Sequence, residues 1–297
     1  MTPPVFAGTY LVHVSQLHYL PTHFCLLLAK SSKRSMKPRT WRILLSKCIM
    51  VDRYIVHMRY SPPPGADVGL TVSIRPVSDW AFSQMVAKLD RQGADAAYHF
   101  YRAIRGSRDS AELVGRMFET KVHAFFQSIT TPRTFTAFSL DDRSTTFDIE
   151  FSSSTTHYTF GAKQYFTGEL ASSVNNRKSC YLKPLSRYFA TFDSFLYQPE
   201  IFLSGCRSPI GFQVTTAYEH RISVLGLKEL QTCLNLQIPA LKALRPTPAE
   251  KLILLFVVPE PMAASFRKMQ FKGNAAHWGA KITQFVLELL EPEVIRS

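Results

Sequence analysis

Acidic side chains are nearly absent from the start of this sequence. Residues 1–60 carry Lys30, Lys33, Arg34, Lys37, Arg39, Arg42, Lys47, Arg53 and Arg59 against the single acid Asp52. Eight of the thirteen net positive charges of the 297-residue chain therefore fall in its first 60 residues. The remainder is ordinary in charge for its size. Paired cysteines are lacking too. Cys25, Cys48, Cys180, Cys206 and Cys233 are odd in number, widely spaced and free of any CxxC step, which argues against a disulfide framework and a zinc site. No apolar run approaches the ~20 residues that span a bilayer, and His13, His18 and His23 interrupt the stretch before Phe24–Ala29, so neither an anchor nor a signal peptide is read there. GxxxxGK[ST], GxSxG and HExxH are all missing, which excludes a P-loop NTPase, an elbow-type serine hydrolase and a zincin.

What is present is enough apolar material for one large or two small folded units, 46% of residues. The basic surplus favours a polyanionic partner, with nucleic acid preferred and no membrane. Localisation in nucleus or cytoplasm follows from the free cysteines and the basic run Lys30–Arg39.

Periodicity divides the chain in three. Residues 1–50 lack sustained period and read as a basic, poorly structured segment, either a nucleic-acid-binding arm or a solvated tail. Residues 51–108 read as a small, mainly helical module: a strand over Asp52–Tyr60, then helix through most of Ser73–Ala103, with Ser78 as a cap. Residues 109–297 read as the main domain. A helix runs from Asp109 to about Ile129. Alternating strands follow at Thr134–Phe138, Thr146–Phe151, His157–Phe160, Phe192–Tyr197 and Ile210–Thr216. Gly226–Asn235 is helical. Lys251–Pro259 is a continuous apolar run, as in a buried parallel strand, and Ala275–Leu290 reads as a closing amphipathic helix. This order predicts an α+β (α/β/α) domain with a mixed sheet flanked by helices.

Three polar residues stand out in apolar settings: Glu119 in the helix, Asp193 in one strand and Gln213 in the next. A polar group inside an apolar strand is costly unless it is paired or binds metal. Two carboxylates and an amide oxygen could hold Mg²⁺ or Mn²⁺. Thr215 or His220 could orient a water or a phosphate, though His220 and His123 both rank lower, since each is more often a packed or hydrogen-bonded histidine. Lys163, Lys178 and Lys183 are candidates to contact a nucleic-acid backbone. Each residue also has a structural reading: Glu119 paired with Arg116 one turn back, Asp193 bonded locally to Ser194, Gln213 a satisfied core amide.

The ordered set Gly115-x-x-Phe118-Glu119 with His123, Arg187-Tyr-Phe-Ala-Thr-Phe-Asp-Ser-Phe195, Phe212-Gln-Val-Thr215 with His220, Leu255-Phe-Val-Val-Pro259 and Trp278 resembles the restriction-endonuclease-like (PD-(D/E)xK-type) domain of fungal Crinkler and RHS-type proteins. The resemblance spans roughly 51–290. It implies a metal-dependent nuclease, active or degenerate, with DNA as the expected substrate. Glu119, Asp193 and Gln213 would be the metal ligands, and Thr215 and His220 would join them in the catalytic set. Where the general nuclease fold has an acid followed by lysine, this chain has Gln213 and Thr215. Proteins of this type often carry an upstream NTPase module and act as effectors in a host. The alternatives kept beside the nuclease are an inactive DNA-binding or effector module and a gene fragment.

The excess charge in residues 1–50, without matching periodicity, sets a first expectation. Deleting them should leave the melting temperature nearly unchanged and weaken non-specific DNA binding, most visibly at low salt. A large drop in melting temperature would show that a folded element had been removed.

Overall fold

The computed structural model describes residues 56–60, 72–76, 78–107, 110–185, 189–199, 203, 205–219, 221–234, 237–273 and 278–297. The basic segment 1–50, His220 and His277 lie outside the described residues. The chain divides into two compact units, one comprising residues 1–117 with Arg296, the other 118–295 with Ser297. Among the described residues no helix is long and apolar enough to cross a membrane.

In the first unit, β1 (Val56–Tyr60) pairs antiparallel with β2 (Val72–Pro76). Helix had been expected from Ser73. The alternation Val72, Ile74, Pro76 with a partner strand at hand makes the segment a hairpin arm instead. Helices α1 (Asp79–Gln92) and α2 (Ala94–Arg105) follow. Ser78 caps α1 as its position predicts, its hydroxyl accepting the Ala81 N–H at 3.1 Å. Gly93 separates the helices at φ +104°, a backbone region that a side chain strongly disfavours.

Helix α3 (Ala111–Ser128) leads to the second unit, a mixed α+β structure whose mixed sheet is flanked by helices. Its strands are β3 (Arg133–Ser139), β4 (Thr146–Phe151), β5 (Thr156–Phe160), β6 (Cys180–Pro184), β7 (Ser194–Tyr197), β8 (Cys206–Val214), β10 (Lys251–Pro259) and β12 (Ile282–Leu289), in the spatial order β4-β3-β12-β10-β8-β7-β6-β5. A short pair, β9 (Ile222–Ser223) with β11 (Phe271–Lys272), stands apart. β10 runs parallel to both β8 and β12 and is buried along nearly its whole length, as its unbroken apolar run predicts. β12 replaces the helix expected at 275–290. Only Glu288 on it is exposed, so its apolar residues lie on both faces and carry no period that separates strand from helix.

The sheet's two faces are covered differently. One packs on α4 (Lys163–Asn175) and α5 (Val224–Leu234) through Phe166, Leu170, Leu227, Leu230, Phe195 and Phe256. The other encloses the second half of α3. Phe126 of α3 stacks on Phe151 of β4 with centroids 4.4 Å apart, and it meets Phe135, Tyr181 and Phe212 edge-on at 5.6, 6.0 and 5.8 Å. Phe151 and Tyr181 sit on strands six places apart in the sheet. Laid flat these strands would be separated by on the order of 30 Å, yet the ring centroids are 5.6 Å apart. The sheet is therefore curled tightly about α3. Chain connectivity demands this, because the two edge strands β4 and β5 are joined by only the four residues Ser152–Thr155.

Phe126 is fully buried at the centre of this curl. Phe126→Ala should cost about 3–5 kcal/mol of unfolding free energy through lost burial and the cavity left behind. Urea denaturation followed by far-UV circular dichroism measures it, and a loss under ~1 kcal/mol would remove Phe126 from the centre of the packing.

Candidate functional site

The inner face of the curl is aromatic except where α3, β6 and the start of β7 meet. Glu119 and His123 lie one turn apart on α3 and so share a face. Tyr181 and Lys183 lie two apart on β6 and share a face of the sheet. The Tyr181 ring stands against Phe126, so this face is the one turned to α3. The Tyr181 hydroxyl bonds to His123 Nδ1 at 2.6 Å and to Ser194 Oγ at 2.8 Å. All three side chains are buried.

Asp193 precedes β7 by one residue. Its backbone N–H donates to Phe212 O at 2.8 Å, although Phe212 is already the ladder partner of Ser194. Two consecutive residues thus meet one residue of β8, the count of a β-bulge, which re-aims a side chain at a strand end. Gly211 makes room for this approach: a Cβ there would lie 2.4 Å from the Phe192 ring. The Asp193 carboxylate then takes up the end of β8, its Oδ2 accepting the Val214 N–H at 2.7 Å and the Gln213 Nε2–H at 3.0 Å.

Charges tie the cluster together. Burial pushes the Tyr181 phenol well above its ordinary pKa, and the negative charges of Asp193 and Glu119 add to the rise against the Ser194 hydrogen bond. Burial also lowers the Lys183 ammonium, an effect that Glu119 opposes. His123 is brought down from the ordinary 6.5 to about 3 by burial, with the Lys183 charge assisting. Glu119 and Asp193 thus act on the buried phenol, Lys183 acts on the buried imidazole, and Glu119 acts on Lys183.

The expected ligands are thus drawn together unequally. Asp193 and Gln213 touch, and Glu119 joins them through the field at Tyr181. Gln213 does not share the inner face. Alternation from Phe212, whose ring meets Phe126, sets it on the opposite face, and it reaches Asp193 only because it is one residue from the strand's end. Its amide nitrogen is committed to Asp193, which leaves the amide oxygen as its donor to a cation. Thr215 is buried beyond β8, its hydroxyl oxygen accepting the Ala217 N–H at 3.0 Å, the bond of a tight turn. Arg116 pairs with Asp79. Among the lysines, Lys163 pairs with Glu229 at 3.1 Å and Lys178 is exposed, so Lys183 is the one of the three that enters the cluster.

Among the described residues no three His, Cys, Asp or Glu side chains gather as a metal-holding group. The donor set for a metal is two carboxylates and an amide oxygen, all hard oxygens suited to Mg²⁺ or Mn²⁺. A cavity of about 410 Å³ opens at the other end of the sheet, where β8 and β10 begin, lined by Asp141, Asp142, Cys206, Lys251 and Thr283 among others. Tyr181 and Ser194 were not singled out as site members from sequence, and Lys183 was named only as a backbone contact. The alternation Tyr181-x-Lys183 is the signal that could have found them. Comparison with family models, with curated proteins and with solved structures gives no match for this chain.

His123 gives the cluster a measurable pH response. In the unfolded chain its imidazole takes up a proton near pH 6.5, whereas in the folded protein it stays neutral down to about pH 3. The unfolded state therefore binds more protons in that window. The stability due to neutral His123 is complete above about pH 6.5 and is lost as pH falls, at up to about 1.4 kcal/mol per pH unit. The melting temperature should fall between about pH 7 and pH 4.5, and His123→Gln should flatten the fall. Identical slopes for the two proteins would place the acid sensitivity elsewhere.

Proposed function

We propose that the second unit is a restriction-endonuclease-like nuclease, a metal-dependent phosphodiesterase acting on DNA. The observation that carries this reading is that Glu119 and Asp193 both bear on the buried Tyr181 hydroxyl, with Lys183 beside Glu119. Glu119, Asp193 and the Gln213 amide oxygen are the groups that would hold Mg²⁺ or Mn²⁺. When bound, the ion supplies Lewis-acid polarisation of a phosphoryl oxygen and a lowered pKa for a coordinated water.

The chain's own side chains supply the rest. The Val214 N–H and the Gln213 amide fix one Asp193 oxygen, so that carboxylate is oriented in advance. The Lys183 ammonium lies near Glu119 and offsets part of its negative charge. It is also the cation best placed to meet a phosphate oxygen, occupying the role for which the general fold uses a lysine two residues after its acid. Burial destabilises its charged form, and Glu119 offsets that effect. The basic surplus of the chain supports backbone contacts without base readout.

A second reading has its own observation. Gln213 stands where an acid would bind a cation more strongly, and it donates to Asp193. A DNA-binding or effector module with the same fold and no turnover would retain that bond as structure.

A plasmid-nicking assay with Mg²⁺, Mn²⁺ and EDTA, on wild type and Asp193→Asn together, tests the proposal. Wild type should nick only with metal, and Asp193→Asn should not nick at all. Because Asp193 Oδ2 accepts two hydrogen bonds that asparagine meets only in part, the substitution should also cost about 1–3 kcal/mol without metal. Mn²⁺ should raise the melting temperature of wild type and leave that of the variant unmoved. Wild type that neither nicks nor responds to Mn²⁺, yet still binds DNA, would establish the second reading instead.

A further inference from the structure

We infer that Tyr181 is a positioning residue: its hydroxyl sets the helix carrying Glu119 against the strand end carrying Asp193. The inference rests on the metal-dependent reading above. His123 is one helical turn after Glu119, and Ser194 is the residue after Asp193. The Tyr181 hydroxyl bonds to both, at 2.6 and 2.8 Å. One oxygen on β6 therefore spans from the helix to the strand end, and each contact falls beside a carboxylate.

Packing alone gives no reason for this arrangement. The ring of Tyr181 is held by Phe126, Phe151 and Phe212 at centroid distances of 6.0, 5.6 and 5.8 Å, contacts that phenylalanine would keep. The three polar groups lie in a fully buried aromatic setting and bring a penalty with them: His123 Nε2 is buried without a hydrogen-bond partner among the described residues. An apolar trio of similar shape would avoid that penalty. What the trio adds is geometry. The bond to Tyr181 is the polar tether of the His123 ring, and it fixes the rotation of α3 about its axis, hence the direction in which Glu119 projects. The bond to Ser194 fixes the strand end at the bulge, hence the direction of Asp193. Satisfied buried networks of this kind restrict a structure to one arrangement, and residues that orient metal ligands typically govern metal affinity by about 10–100-fold.

Lys183 belongs to the same device without being part of the tether. It shares the Tyr181 face of β6, and its charge bears on His123 while that of Glu119 bears on it. A shift of α3 would therefore move Glu119 relative to Asp193 and Lys183 together.

The test is Mn²⁺ affinity by titration calorimetry on the full chain, for wild type, Tyr181→Phe, Ser194→Ala and the double variant. DNA affinity and melting temperature are measured alongside in EDTA. Tyr181→Phe should weaken Mn²⁺ binding by about 10–100-fold while DNA affinity in EDTA stays within about twofold. Ser194→Ala should weaken Mn²⁺ binding in the same direction, and the double variant should lose less than the product of the two single losses, because both cut one tether. Wild type that binds Mn²⁺ with Tyr181→Phe matching it would overturn the inference and leave the nuclease reading standing. Wild type that fails to bind Mn²⁺ would overturn that reading and the inference with it. Should Tyr181→Phe fail to fold, Ser194→Ala decides alone: unchanged Mn²⁺ affinity refutes the tether, and a loss at constant DNA affinity supports it.

Discussion

Four residues, Ser152–Thr155, connect the outermost strand on one side of an eight-stranded sheet to the outermost strand on the other. That short link is the constraint on which the second unit depends. A sheet whose two edges must meet at one end cannot lie flat. It curls, and the inside of the curl has to be filled. The second half of α3 fills it, and Phe126 is the residue through which it does so, touching rings from β3, β4, β6 and β8. Helices can cover the convex face loosely, but the concave face admits one helix in one position. The position of α3 is therefore dictated by the curl and not by its own propensity.

The same enclosure explains the electrostatics. Groups on the inner face lose water on almost every side, so their charges act on each other at short range through an apolar surround. A histidine there stays neutral, a tyrosine keeps its proton and a lysine holds its charge less readily, in each case mainly through burial. At the open end of the curl the strand bulge turns Asp193 into this region, while Gln213 approaches from the other face. Polar chemistry is thereby concentrated where α3, β6 and the start of β7 meet, within an otherwise aromatic interior.

Much of this was legible in the residues. β4 and β10 fall where alternation and apolar run place them, the α3 pattern gives the helix its extent, and Ser78 caps α1 as its type suggests. The misses share a physical cause. β12 is buried on both faces, so its apolar residues carry no period and read as a helix. α4, interrupted by Gly168 and rich in serine and threonine, has a weak apolar stripe and no side-chain cap. β6 is five residues long and ends in proline. Losing β6 cost the most, since Tyr181 and Lys183 stand on it. Asp193 and Gln213, which the structure shows in contact, stood out because a polar residue amid phenylalanines is conspicuous. Their face was not, because a bulge breaks the alternation from which face is inferred.

The link between β4 and β5 also bears on how copies of this chain meet one another. An open sheet presents two rows of unpaired backbone groups, and either row can recruit a strand from another molecule. Here the two rows converge at one end. β4 also turns Thr146, Asp148 and Glu150 to solvent, while the Gln198 amide donates to the Glu150 carbonyl at 3.0 Å. A visiting strand would find carboxylates along β4, one of its acceptors already taken and little room beside it. Growth by adding strands from copy to copy, the route by which flat sheets become fibres, is blocked by the same connection that curls the sheet.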